Sequence, residues 1–172
     1  SSLFIGSLSS SSGAAEVASG GLLALTSSLN VAGGSASTGF LAVRSGTVTI
    51  DTGTPIALGI GGGVGASGTA VISNGGAVSS GAGVALGTQG FGVLQIGEGG
   101  AAGTLSVGQI RGGQLGGSGQ IIFNHNESAY TFANAIGDSV LGASISVFQN
   151  GSGVTTLTST IRRSRGHSMP LD

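Results

Sequence analysis

Five carboxylates stand in the first 161 residues, Glu16, Asp51, Glu98, Glu127 and Asp138, with neighbours at least 11 positions apart. An enzyme that cleaves polysaccharide needs two carboxylates converging on one bond. This spacing puts no two of them on one short element, so they read as solubilising surface charge. His125 lies close to Asn124 and Glu127, which could open a metal or acid–base site. The other histidine, His167, is far along the chain, so a polar turn is the expected role of His125. Cysteine is absent, which removes a thiol nucleophile, a Cys-type zinc site and any disulfide framework. None of the many serines sits in a G-x-S-x-G elbow with triad partners. The expectation is a non-enzyme with no metal and no cofactor.

Two further motifs fail on context. "GGGVGA" at 61–66 satisfies G-x-G-x-x-A, but a dinucleotide site needs a helix after it. The next residues are "SGTAVISNGG", a strand pattern and a corner. Thr47-Val48-Thr49 has the form of an ice-binding threonine array, which would have to recur on every repeat and does not.

Charge excludes another class. Glycine fills 37 of 172 positions, lysine is absent, and formal net charge is −1. Arg44 and Arg111 are the only cations before residue 162, so no basic stripe can follow a phosphate backbone and nucleic acid is not an expected partner. No apolar run reaches the roughly 18–20 residues of a membrane-spanning helix, and direct membrane insertion is not expected.

What positions these residues is a repeat. Glycine, then apolar residues two and four places on, then Gly-Gly recurs as Gly13…Gly20-Gly21, Gly68…Gly75-Gly76 and Gly92…Gly99-Gly100. A weaker copy runs Gly39, Leu41, Val43, Gly46. Before each frame stands an apolar pair: Leu3/Ile5, Leu29/Val31, Ile56/Leu58, Val84/Leu86 and Leu105/Val107, with closing positions 26, 27, 28 and 21 residues apart. Periods of this size mark solenoids, and the two-residue alternation makes the segments strands. Gly-Gly is expected where stacked turns change direction, at positive φ. The predicted fold is all-β: a right-handed parallel β-helix of about five rungs over residues 1–117.

From Ser118 the frame is lost. "ASISVFQNGSGVTTLTST" predicts a hairpin, strands 144–149 and 154–159 around Asn150-Gly151-Ser152-Gly153. Phe123, Tyr130, Phe132 and Phe148 are four of the seven aromatic residues. Because solenoids need ends that are not open strand edges, residues 118–160 are expected to form a hairpin-rich cap. Its core would be those four side chains. Residues 161–172 read as a linker or a vector-derived tail.

The coil pattern L-x-I-G…G-x-L-x-I-x-x-G-G, followed by "VFQNGSGVTTLTS", resembles the passenger of bacterial type V autotransporters over residues 1–160. "NGSGVTTLT" is similar to the family's G-x-G-x-x-x-L-T segment near the passenger's C-terminus. The resemblance implies an autochaperone region, a surface-displayed virulence factor that assists its own folding outside the outer membrane. It implies as partners the rest of the passenger and a C-terminal translocator barrel, and, through upstream regions, a host actin-assembly factor in actin-based motility. It also implies cleavage by surface proteases at Arg162-Arg163, with release from the cell surface. For a bacterial protein, the N-glycosylation patterns at Asn126 and Asn150 carry little weight. A binding module that contacts host protein or glycan through outward residues such as Gln95 and Glu98 stands as the alternative.

Overall fold

The structure, a computed structural model, describes residues 1–113, 115–137 and 145–162, and none of these is helical. Each turn of the coil lays down three short strands. The first has β1 (Leu3–Ile5), β2 (Ser12–Ala18) and β3 (Leu22–Leu25). The second has β4 (Leu29–Val31), β5 (Thr38–Arg44) and β6 (Thr47–Ile50). The third has β7 (Ile56–Ile60), β8 (Ser67–Ser73) and β9 (Ala77–Ser79). The fourth has β10 (Gly83–Leu86), β11 (Phe91–Ile96) and β12 (Thr104–Ser106). The fifth has β13 (Ile110–Gly112), β14 (Ser118–Phe123) and β15 (Tyr130–Phe132). The sixth has β16 (Ile136–Gly137), β17 (Ile145–Gln149) and β18 (Thr155–Leu157), and β19 (Ile161–Arg162) opens a seventh.

Corresponding strands stack in parallel register into faces. The first face runs β1-β4-β7-β10-β13-β16-β19 and the second β2-β5-β8-β11-β14-β17. The third face is β3-β6-β9-β12, and β15 and β18 form a separate pair beyond it. This is a parallel β-solenoid of about six turns, close to the five rungs expected. Its core is a continuous column of aliphatic side chains, among them Leu29, Leu58, Leu86 and Ile110 from the first face, and Leu41, Leu94 and Ile121 from the second.

The glycine frame has two separate physical causes. Gly13, Gly39, Gly68, Gly92 and Gly119 stand in one register column on the second face. A Cβ on Gly39 would lie 2.5 Å from the backbone N of Ala32, and one on Gly68 would lie 2.6 Å from that of Gly61. The chain has just rounded the corner from the first face there, and only a hydrogen fits. At the next corner the need is conformational. Gly75 has φ +76° with open space around it, and Gly20 and Gly99 behave alike. In each Gly-Gly pair it is the first glycine that has positive φ, while Gly21, Gly76 and Gly100 do not.

Three sequence expectations are corrected. The third apolar pair on the first face is Leu58/Ile60 rather than Ile56/Leu58, because the register slips by a bulge between Gly83 and Val84. The fifth is Ile110/Gly112, since Leu105 belongs to the third face. The predicted hairpin also does not form. β17 pairs parallel with β14, and β18 with β15, so the two strands are successive sides of one turn. Asn150-Gly151-Ser152-Gly153 therefore does not fold β18 back onto β17. It makes a corner instead, with the Asn150 and Gly151 amides donating to Phe123 O. The first and second faces thus run unbroken past residue 118.

Candidate functional site

The corner between the second and third faces collects most of the polar chemistry. It is longer in the fourth turn, residues 97–103, and the fifth, residues 124–129, than in the third, residues 74–76. β15 does not join the ladder of β12, so backbone groups beside β12 need other partners. Side chains supply them. Glu127 Oε1 accepts from Ala102 N at 2.9 Å, and Tyr130 Oη donates to Gly103 O at 2.8 Å. Asn134 is used twice, Nδ2 donating to Leu105 O at 2.8 Å and Oδ1 accepting from Val107 N at 2.9 Å. Three side chains therefore replace part of one strand's ladder.

The space gained inside is filled by rings. Phe123, His125, Tyr130 and Phe132 are all buried. Phe132 stands edge-on to Phe123 at 5.0 Å between centroids, and His125 lies 4.9 Å from Tyr130. His125 Nδ1 accepts from Glu127 N, which assigns the proton to Nε2. Nε2 then donates to Thr155 Oγ1 at 2.8 Å, and Thr155 donates to Gln149 Oε1 at 2.8 Å. The relay ties the fifth turn to the sixth. Burial, with the charge of Glu127 adding to it, pushes the Tyr130 phenol up to about 12. The ring therefore stays protonated and keeps donating to Gly103.

The same corner in the earlier turns carries an ion cluster. Arg44 donates from Nε and Nη2 to the two oxygens of Glu98, at 2.7 and 2.6 Å, and from Nη1 to Glu16 at 2.8 Å. Ser73 Oγ also donates to Glu98, at 2.7 Å. The hydrogen bonds from Arg44 hold the Glu98 carboxyl down to about 2, and those from Glu98 and Glu16 raise the guanidinium still further above its ordinary value. Two carboxylates that sequence spacing had separated meet here on one cation. Both are bound to its guanidinium, which leaves the cluster one negative charge.

Among the expected cap residues, Phe123, Tyr130 and Phe132 come together and Phe148 does not. Phe148 is 43% exposed, because β17 places it in the outward column of Gln95 and Ile122. Val147 takes the inward column of Ile121 instead. Gly20, Gly21, Gly75, Gly76, Gly99 and Gly100 lie between strands of the second and third faces. Arg162 ends β19, while Arg163, Asp138 and His167 lie outside the described residues. "GGGVGA" is followed by β8, not by a helix. An open recess of about 540 Å³ beside the 52–55 loop holds Arg111 as its one charged lining residue. Among the described residues no three His, Cys, Asp or Glu side chains cluster as metal ligands.

No protein-family model matches this chain, and no curated protein or solved structure matches it either.

Proposed function

We propose that the chain is a non-enzymatic folding and stability module, the autochaperone-type segment of an autotransporter passenger. The observation that carries this reading is the handover at the third face. Where the ladder of β12 ends, Glu127, Tyr130 and Asn134 take over its backbone groups, and an aromatic core anchors the two turns beyond it. A glycine-rich coil with small inward side chains gains little per turn, so it benefits from one region where burial and hydrogen bonding are concentrated. A cysteine-free, weakly charged chain also suits passage through a pore before folding. In this reading folding starts at the aromatic turn and proceeds toward β1, outside the outer membrane. A role in actin assembly, as in the Shigella autotransporter IcsA, and cleavage at Arg162-Arg163 join the proposal only through the sequence resemblance.

The test is export of this chain ahead of an outer-membrane translocator barrel. Tyr130→Ala and Phe132→Ala should each abolish surface display while synthesis continues. Normal display of both variants would sink the proposal.

A further inference from the structure

The corners between the third and first faces share one plan, with an exception in the middle of the coil. Residues 26–28, 80–82 and 107–109 turn in three residues, whereas 51–55 takes five. The longer corner is tied to itself. Thr54 N donates to Thr52 Oγ1 at 3.1 Å and Thr54 Oγ1 to Ile56 O at 2.9 Å, while the ring of Pro55 fixes its φ. The bulge at which β7 slips against β10 follows directly, and bulges often stand beside binding sites. This corner forms one wall of the open recess of about 540 Å³, which continues over the next two corners to Arg111. Stacked corners are about 4.8 Å apart, so three of them span about 10 Å.

Two glycines of this recess are not explained by the fold. The glycines described above answer to a corner φ or to a backbone in the way. Gly53 and Gly81 answer to neither: they have no left-handed φ, and an added Cβ would meet nothing within 4 Å. Both line the recess, so what their missing side chains keep open is the recess itself. Close approach of a ligand to backbone is a further use of glycine.

The recess also holds an unspent cation. Arg44 is taken by Glu16 and Glu98. Arg111 makes one hydrogen bond, Nε donating to Gln109 Oε1 at 3.0 Å, and among the described residues no carboxylate pairs with it. That bond steadies the guanidinium and leaves both Nη groups and the Gln109 amide nitrogen to donate, a fork suited to a carboxylate. Past Gly81 the lining changes. A second open recess of about 410 Å³ shares Gly81 and is lined by Asp51 and by Thr49, Ser79 and Ser106. Those three hydroxyl residues form one register column in successive turns. Donors for a carboxylate at one end, with hydroxyls and an acceptor along the rest, match a polyhydroxylated acid.

We propose that the joined recesses bind an acidic sugar. Its carboxylate lies on Arg111 and Gln109, its ring over the backbone of Gly81, and its hydroxyls toward Asp51 and the Thr49, Ser79 and Ser106 column. The first recess alone has the volume of a small-ligand site. Asp51 opposes a second carboxylate at its end, so one charged sugar fits better than a polyanion. Stacked turns continue on both sides of the site.

Isothermal titration of the whole chain with glucuronate, and with glucose at equal concentrations, tests this. Glucuronate should bind in the millimolar range or tighter, and glucose about tenfold or more weaker. Arg111→Gln should remove that preference. Gly81→Leu, whose Cβ meets no protein atom, should block glucuronate with an unchanged midpoint of chemical denaturation. A disaccharide of glucuronate with a neutral sugar separates the sources: tighter binding than glucuronate assigns a glycan, and equal binding a free sugar acid, both in support of the site. No binding of glucuronate, binding indifferent to Arg111→Gln, or an aspartate peptide bound as tightly as the sugar acid would each overturn the assignment.

Discussion

The first four turns and the last two share two continuous faces, yet they hold their third side by different means. In β3-β6-β9-β12 the backbone does the work, strand upon strand, with inward residues no larger than Leu23, Val48, Val78 and Leu105. In β15 and β18 the ladder restarts out of line, and the seam is closed by Glu127, Tyr130 and Asn134 over a core of Phe123 and Phe132. A backbone ladder tolerates almost any outward side chain. A side-chain seam tolerates very few changes. The first region should thus lose stability gradually with mutation, and the second abruptly.

The largest effect should come from the aromatic core. Phe132→Ala empties a fully buried site beside Phe123 and is expected to cost about 3–5 kcal/mol. Val78→Ala, at a buried site on the third face of the earlier turns, should cost about 1–2 kcal/mol. Chemical denaturation of both variants measures the difference. Equal costs would mean that the two regions do not differ as described. Next is Asn134→Ala, which strips partners from Leu105 O and Val107 N together and should cost about 2–3 kcal/mol. Asn30→Ala, whose amide donates only to Ser28 near the surface, should cost under about 0.5 kcal/mol.

How much of this was legible in the sequence depends on what fixed each residue. Glycine at a corner is demanded by geometry, so the solenoid and its corners could be read directly. Phe148 points outward against expectation because parity along a strand is set by pairing register, and the register comes from β14 rather than from a hairpin partner. "NGSG" suits a hairpin turn and a solenoid corner equally; only the strand stacked above decides between them. The polar seam escaped notice for a different reason. Tyr130 and Gly103, Asn134 and Val107, and Arg44 and Glu16 are 27, 27 and 28 residues apart, one turn each, and Arg44 and Glu98 are 54 apart, two turns. Scanning polar residues at the repeat period, rather than for local motifs, would have found these pairs. His125, buried with both ring nitrogens bonded, carries no such local signal.

The seam can also be tested by alkali. Tyr130 is the single tyrosine of the chain, so tyrosinate absorbance reports it alone. Its folded-state value is raised from 10 to about 12, so the unfolded chain gives up its proton first. Stability is accordingly complete below pH 10 and falls as pH rises from 10 toward about 12, by an amount on the order of 2 kcal/mol. Tyr130→Phe should remove this alkaline loss while lowering stability at neutral pH, since Gly103 O is left unpaired.

The effect at the ion cluster in the earlier turns should also be small, and its smallness is informative. Arg44 touches carboxylates from the first and fourth turns, so by geometry alone it looks as important as Asn134. Its side chain and that of Glu98 are each about one-third exposed, and water screens such pairs to about 1 kcal/mol or less. The strands beneath are already joined by their own ladder, so nothing buried is orphaned when the guanidinium is removed. Arg44→Gln should shift the midpoint of chemical denaturation slightly, and less at high salt. Glu98 gives the pH sign. Its carboxyl is held at about 2 against an ordinary 4.5, so its contribution is present above pH 4.5 and lost as pH falls toward 2. Arg44→Gln should flatten that acid limb and leave the alkaline limb set by Tyr130 untouched. A loss from Arg44→Gln as large as that from Asn134→Ala would show that the earlier turns also depend on a side-chain seam.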